Sequence, residues 1–560
     1  MRSIRKIAAS LAAVAALVAA CDAPAMAPPR FRAQGAPGPR RGGVLRFASY
    51  QPVRTLDPAI AYDEISTYIV HPVFDTLLGY EPADPAVTNS GLTLVPHLAS
   101  SYAISPDGRT YTFTLRDGIT FSDGQPVVAG DFEYALERVL ARADSPFGSF
   151  LSDVEGAADV IAGKSKDCTG ITAVDDHTLV FRLSQPYAAF RYVLAMAFAT
   201  PLKRAWVESV GDQIRRRPLG TGPFVVTEWT EGTRVVLRRN PHYWDPKLPY
   251  LDGVVFLENI PRDTAFLMFQ AGELDVVDRL PAPDYIRIAE TPAWKPYILQ
   301  AAAMNVYGER MNTRVPPFND RRVRQALNYA TSKDHTIRLL QNGAVASHGI
   351  LPPGMFGRDE SLAPYPYDPA RARQLLAEAG YPDGFDTEYV CLNDGEAEKL
   401  AQGLQADLAK VGVRVRIRLM SFATYLTAVG KPDGPPFSYG SWFMDFPDPS
   451  NFIDTRFHSR QIADENASND SFYANPELDQ LIDAARSETD DDRRAGLYHR
   501  IERLLYDEAP WIWNYHRLFI EVTQPYVKGY APHPVWQRTY EHTWLDVAPD
   551  GTRPRAEAAP

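Results

Sequence analysis

The sequence predicts an α/β protein of two or three domains, and three observations carry that prediction. The chain has 560 residues, whereas single hydrophobic cores stop growing near roughly 250 to 300 residues. Strand and helix signals alternate between residues 368 and 445, the grammar of crossover connections and a largely parallel sheet. A separate run of short alternating strands, "SYAISPDGRTYTFTLRDGITFSDG" from Ser101, has the turn chemistry of an antiparallel meander.

Taken in order, the chain opens with a targeting segment. Arg2, Arg5 and Lys6 form a basic stretch, and Ile7 to Ala20 is an apolar run of 14 residues, too short for a comfortable bilayer span and of secretory signal length. It ends in "LVAAC", which resembles a bacterial lipobox and implies cleavage before Cys21 and lipidation of its thiol. The competing cut after "AMA", at Ala27, would leave a soluble periplasmic product, but Pro28 would follow the scissile bond. Residues 21–43 are rich in Pro, Gly, Ala and Arg without periodicity and are expected to form a flexible tether reaching about 25 Å. In the meander Tyr111, Phe113 and Leu115 alternate with threonines, and a helix is expected near Asp131 to Leu140.

The clearest elements follow. Asp368 caps a helix with Pro369 at its first position, Leu375 and Leu376 face inward, and Gly380 with Pro382 ends it. Phe385 to Leu392 reads as a strand, Glu396 to Val411 as a helix, and "VRVRIRL", Val413 to Leu419, alternates apolar residues with arginines. Ser421 to Val429 is a helix and Phe437 to Met444 the next strand, ending at Asp445. In such sheets ligands collect beyond the carboxyl ends of the strands. Asn475 and Pro476 open a helix with Leu478, Leu481, Ile482 and Ala485 on one face, and Leu497, Ile501, Leu504 and Leu505 mark another. Residues 549–560 are expected to be a disordered tail.

Composition excludes several classes. The formal charge of −11 becomes −14 once residues 1–20 and their three cations are removed, a poor field for collecting nucleic-acid phosphates. Only Cys168 and Cys391 remain beyond Cys21, so no disulfide framework is expected. No later segment has 18 uninterrupted apolar residues, leaving the lipid anchor as the expected membrane contact. G-x-S-x-G, H-E-x-x-H and C-x-x-C are absent from the sequence, and the eleven histidines are scattered singly, so no catalytic residue, metal or cofactor is expected. "AGKS" at Ala162 to Ser165 resembles the end of a phosphate loop, but Gly156 is misplaced for one. Asp445 and Asp448 form a carboxylate pair of the kind used in acid/base work; Asp448 before Pro449 also reads as a helix cap.

With these pieces assembled, the chain resembles the family 5 bacterial extracellular solute-binding proteins, the group holding oligopeptide-, dipeptide- and nickel-binding components of ABC importers. The resemblance rests on "LDP", "VFDTLLGY", "LVPHLASSYAISPDGRTYTFTLRDGITFSDGQPV", "DFEYALERV", "GTGPF", "RNPHYW", "AGELDVV", "PPFNDRRVRQALNYA" and "FMDFPDPSNF", in the family's order. It implies a two-lobed periplasmic-binding-protein-like α/β fold with an extra inserted domain and a ligand cleft between lobes. Residues 44–78, 219–309 and 514–548 would form lobe I, residues 79–218 the inserted domain and residues 310–513 lobe II.

The resemblance further implies a non-enzymatic receptor, expected as a monomer, that closes over a peptide and delivers it to ABC permease subunits. Peptide-binding members carry Trp-x-x-Asp, whose carboxylate pairs with the ligand's α-ammonium; here these are Trp442 and Asp445. Ser441 and Phe443 would offer backbone hydrogen bonds to an extended ligand. Tyr62, Asp63, Glu64, Phe147, Tyr307 and Trp513 would line the cleft. Oligopeptide-binding relatives place arginines just before the Trp, whereas this strand has Tyr439 and no Arg between Leu419 and Arg456, so the means of neutralising a ligand carboxylate stays open. Alternatives are an opine, an oligosaccharide, an antibiotic or a metal chelate as cargo, delivery to a sensor, or a secreted carboxylate-dependent hydrolase.

Overall fold

The computed structural model describes residues 26–84, 90–280, 282–548 and 550–556. The segment carrying the signal sequence and Cys21 lies outside them. Three sheets of four or more strands organise the described residues, beside three two-stranded ones.

The first lobe is built on a four-stranded sheet in the order Val44–Ala48, Gly253–Leu257, Arg234–Arg239, Phe224–Thr230. Val44–Ala48 pairs in parallel with Gly253–Leu257 and the other pairs are antiparallel. Helix Glu64–Val73 packs Ile65, Tyr68, Ile69 and Val70 into the core beneath it. The meander is the second sheet: Ala99–Ile104, Thr110–Leu115, Thr178–Arg182 and Ile171–Ala173, all antiparallel, with helix Ala129–Ala141 against it.

The third sheet has eight strands and reaches from one lobe into the other. Its main order is Val276–Asp278, Trp511–Thr523, Asn305–Met311, Phe437–Phe443, Asp386–Leu392, Arg414–Met420, with Ile298–Ala302 and Ala344–Ala346 also paired to Trp511–Thr523. The sheet is not largely parallel. Asp386–Leu392 is parallel to both Arg414–Met420 and Phe437–Phe443, but Phe437–Phe443 runs antiparallel to Asn305–Met311, and that strand antiparallel to Trp511–Thr523. The crossovers expected between residues 385 and 444 thus form only one wing, and strands from distant sequence complete the sheet in the opposite sense. Helices cover both of its faces, Val323, Leu327, Leu376 and Leu408 packing on one and Phe452, Ile453, Leu478 and Ile501 on the other.

Local signals explain the helices of this lobe. Asp368 accepts hydrogen bonds from the amides of Ala370 and Arg371 at 3.0 and 2.9 Å, starting helix Pro369–Glu378. Asp448 likewise caps helix Pro449–Phe457, accepting from Ser450 N. Its carboxylate also receives both terminal nitrogens of Arg494 at 2.7 Å, tying that helix to Asp491–Glu508, and both side chains are fully buried.

Residues 26–43, expected as a flexible tether, lie along the first lobe. Met26 N donates to Thr291 Oγ1 at 3.1 Å, and Trp294 Nε1 donates to Ala27 O at 2.8 Å. Phe31 meets Tyr526 edge-on at 5.8 Å, in a place that only Gly272 leaves open, since a Cβ there would sit 2.2 Å from the Phe31 ring. Described residues of the tail join them, with Arg32 N donating to Pro554 O and Ala556 N to Arg30 O, while Arg553 pairs with Asp275. Composition argues against a self-made core but not against backbone pairing onto an existing one.

The meander unit also touches the second lobe. Arg486, in helix Pro476–Ser487, forms an ion pair with Asp153 and stands 3.9 Å from the ring centre of Tyr187, while Ala188 N donates to Arg486 O at 3.0 Å.

Candidate functional site

A cavity of about 1120 Å³ lies between the lobes. One wall is helix Glu64–Val73, whose Glu64, Thr67, Tyr68 and His71 recur at helical spacing along it. The opposite wall is the end of strand Phe437–Phe443 with Met444 and Asp445, and Trp511–Thr523 supplies Arg517 through Glu521.

Asp445 is fixed by three hydrogen bonds to two side chains, Tyr62 and Asn451. The Tyr62 hydroxyl, from the first lobe, donates to its Oδ1, and Asn451 Nδ2 donates to its Oδ2 at 2.8 Å. Asn451 Oδ1 accepts from Asp445 N at 2.8 Å and from Trp442 Nε1 at 3.3 Å. Burial pushes the Asp445 carboxyl above its ordinary value, and the hydrogen bonds from Asn451 and Tyr62 pull it partly back. No arginine, lysine or histidine among the described residues forms an ion pair with it. Tyr62 in turn stands edge-on to Phe147 at 5.5 Å.

The structure sorts the remaining residues singled out from the sequence. Phe443 is 51% exposed, and its ring meets Tyr307 edge-on at 5.6 Å; Tyr307, Tyr439, Phe147, Tyr62 and Glu64 also line the cavity. Glu64 is already neutralised by an ion pair with Arg279 and accepts from the Tyr68 hydroxyl. Asp63 is the helix cap, accepting from Ser66 N at 3.0 Å. Trp442 turns away from the cavity into the core beside Phe452, with the Arg456 guanidinium 5.1 Å from its ring, and acts on Asp445 only through Asn451. Ser441 pairs its backbone with Tyr307. The other edge of this strand is in register with Asp386–Leu392 only at Val390 opposite Ser438, so Gly440 to Phe443 have no strand partner there among the described residues.

Trp513 does not line the cleft. It is fully buried and stacks on Trp511 at 6.0 Å. The cause is a β-bulge: Tyr307 faces Tyr515, but Gly308 faces Trp513, so one extra residue, Asn514, sits in the longer strand. Trp513 and Tyr515 therefore fall on opposite faces despite their even spacing. The bulge turns Tyr515 onto Tyr307, stacked at 4.8 Å, and delivers Arg517 to the cavity with its guanidinium 5.1 Å from the Tyr307 ring centre.

Arg517 and its neighbours carried no sequence signal. Arg517 forms an ion pair with Glu396 in the first turn of helix Gly395–Ala409, and its buried Nε has no hydrogen-bond partner. Lys399, one turn on, also lines the cavity, donates to Leu339 O at 3.2 Å and has no carboxylate ion-paired with it among the described residues. Deeper in the first lobe, Arg538 is held between Asp278 at 2.7 Å and Glu521 at 3.0 Å. His71, pushed down to about 3 by burial and the neighbouring His533, is neutral in the ordinary pH range. No group of three or more His, Cys, Asp or Glu side chains could hold a metal among the described residues.

Comparison with known proteins gives a consistent set of relatives. The model of the bacterial extracellular solute-binding proteins, family 5 Middle, matches residues 93–464. The dipeptide-binding protein of Escherichia coli (strain K12) is 30% identical over 475 residues, 81% of this chain and 86% of its own length. Di/tripeptide-binding protein 2 of Pseudomonas aeruginosa (strain UCBPP-PA14) is 29% identical over 499 residues, 85% and 90% respectively. Among solved structures, clavulanic acid biosynthesis oligopeptide binding protein 2 superposes with a TM-score of 0.82 at 26% identity, covering 93% of this chain and 99% of that one. The periplasmic binding protein DppA from Helicobacter pylori, in complex with peptide STSA, gives 0.72 at 28% identity, covering 91% and 99%.

Proposed function

Because the chain belongs to the bacterial extracellular solute-binding proteins of family 5, we propose that it is the periplasmic receptor of an ABC importer and that its cleft holds a peptide by the free amino end. The observation that carries this reading is Asp445: a carboxylate shielded between two lobes, hydrogen-bonded only to neutral groups and without a cation of its own. A peptide α-ammonium supplies that cation. The unpaired edge from Gly440 to Phe443 suits an extended backbone, which reads peptides without reading side chains. Relatives named for dipeptides and di/tripeptides support the same class of cargo.

The test is a titration. Removing one member of a buried ion pair costs about 3 to 5 kcal/mol, so Asp445→Asn weakens peptide binding by about two to three orders of magnitude. N-acetylation of the peptide costs a comparable amount, and the two losses do not add, because both remove one contact. Undiminished affinity in Asp445→Asn, or fully additive losses, would mean that the ligand is held elsewhere. Tight binding of a solute without an amino group would point to a different cargo.

The anchor is a further part of the proposal. "LVAACD" supports lipidation of Cys21 and retention at the inner membrane. Cys21→Ala then accumulates as an unprocessed, signal-bearing precursor; normal processing to a soluble protein would instead assign the cut after Ala27.

A further inference from the structure

Sequence reasoning left a ligand's carboxyl end without a receiver, and the cavity wall contains one. We propose that Arg517, assisted by Lys399, binds the terminal carboxylate of a short peptide, and that Glu396 occupies Arg517 as a stand-in carboxylate until the ligand displaces it. This deepens the peptide reading above and rests on it.

Four observations carry the assignment. The bulge at Asn514 aims Arg517 into the cavity. Its guanidinium lies over the rings of Tyr307 and Tyr515, 5.1 and 5.9 Å from their centres, contacts that favour a cation and restrict its movement. Its present partner is a poor permanent one: the Glu396 side chain is 54% exposed, against 31% for Arg517, and Glu396 sits in the first turn of its helix, where a rotamer change releases it into water. Glu396 engages one terminal nitrogen closely and the other only at 3.5 Å, and Nε has no partner. A guanidinium has five N–H donors, so the fork is incompletely used. Lys399, on the same helix as Glu396, also lines the cavity and has no carboxylate ion-paired with it among the described residues, so an arriving carboxylate supplies one.

The position of Arg517 also bears on ligand length. Arg517 lies 5.1 Å from the ring centre of Tyr307, that ring lies 5.6 Å from the ring of Phe443, and Phe443 is two residues from Asp445. The two ends of the site are therefore neighbours along one cavity wall, close enough for a short extended peptide to reach both.

Calorimetric titration of the full chain with trialanine, trialanine C-terminal amide and N-acetyl-trialanine tests the proposal. In the wild type, amidation weakens binding on the order of 10- to 100-fold. In Arg517→Met the free acid binds about as weakly as the amide does to the wild type, and amidation costs little more. Glu396→Gln removes the competitor, so trialanine binds severalfold tighter while its amide gains nothing. That variant alters only a half-exposed side chain, so it remains informative even where Arg517→Met folds poorly. An amidation penalty undiminished in Arg517→Met, or a Glu396→Gln effect equal for acid and amide, overturns the assignment. If acetylation is costly and amidation is free, the amino-end reading stands and only this inference falls. If no form of trialanine binds, both fall together.

Discussion

At the scale of single residues, the chemistry lies in buried carboxylates that fold at a cost. Asp445 has its carboxyl raised by burial, so the folded state holds a proton that the unfolded chain releases as pH rises above the ordinary carboxylate value. Its ionised form therefore opposes folding at neutral pH, and Asp445→Asn melts at the same temperature as wild type or higher while binding far less peptide. Thermal melting alongside titration checks the two signs together. Glu502 shows the same physics without a ligand role. It accepts from Asp359 N, its other oxygen has no hydrogen bond, and burial raises it to about 8. His348, 3.9 Å away, is pushed down to about 4 by burial and so stays neutral above that. Wild-type stability contributed by Glu502 is present below about pH 4.3 and is lost as pH rises toward about 8. Glu502→Gln, which cannot ionise, matches wild type in acid and is more stable by about 1 to 3 kcal/mol at pH 8 and above, as denaturant melts across the pH series will read.

At the scale of elements, the buried pair of Asp448 and Arg494 joins two helices and a cap in one contact. Asp448→Ala leaves Arg494 buried and uncompensated and removes the cap, with an expected loss of about 3 to 5 kcal/mol. Circular dichroism melts measure that loss, which contrasts with the neutral or stabilising Asp445→Asn only three positions away. Elements were also the scale at which the sequence spoke most clearly. Asp368 and Asp448 announced their helices because a cap is a local hydrogen bond, and the alternation in "VRVRIRL" announced a strand with one face toward the core and its arginines toward solvent. The site was legible where it was local, at Asp445 and its strand end. It was illegible where pairing over more than a hundred residues decides orientation. Trp513, Tyr515 and Arg517 share one spacing, and only the extra residue opposite Gly308 separates core from cavity. Asn451, which ties Trp442 to Asp445, is likewise a helix residue whose reach back to the strand end no periodicity marks.

At the scale of the whole molecule, the contacts of Arg486 with Asp153, Tyr187 and Ala188 join the meander unit to the second lobe. They involve no cavity residue, so they favour closure for every ligand alike. A partly buried pair of this kind is worth about 1 kcal/mol, and apparent affinity scales with the population of the binding-competent state. Asp153→Asn therefore weakens all peptides by a similar factor of about five and leaves the ratio between free-acid and amidated peptides unchanged. Small-angle scattering checks the accompanying shift toward an expanded, open form in the absence of ligand.

The docking of Met26 onto Thr291 also shortens the leash. With a lipid on Cys21, only five residues of chain separate the acyl group from the folded body, a stretched length of about 17 Å; a free chain from Cys21 to Gly43 would pay out about 75 Å. A body anchored in this way would patrol a layer several times thinner, and its local concentration at a permease would rise in proportion. The same short leash would remove freedom to tumble, keeping the side of the first lobe that bears Thr291 and Trp294 toward the lipid.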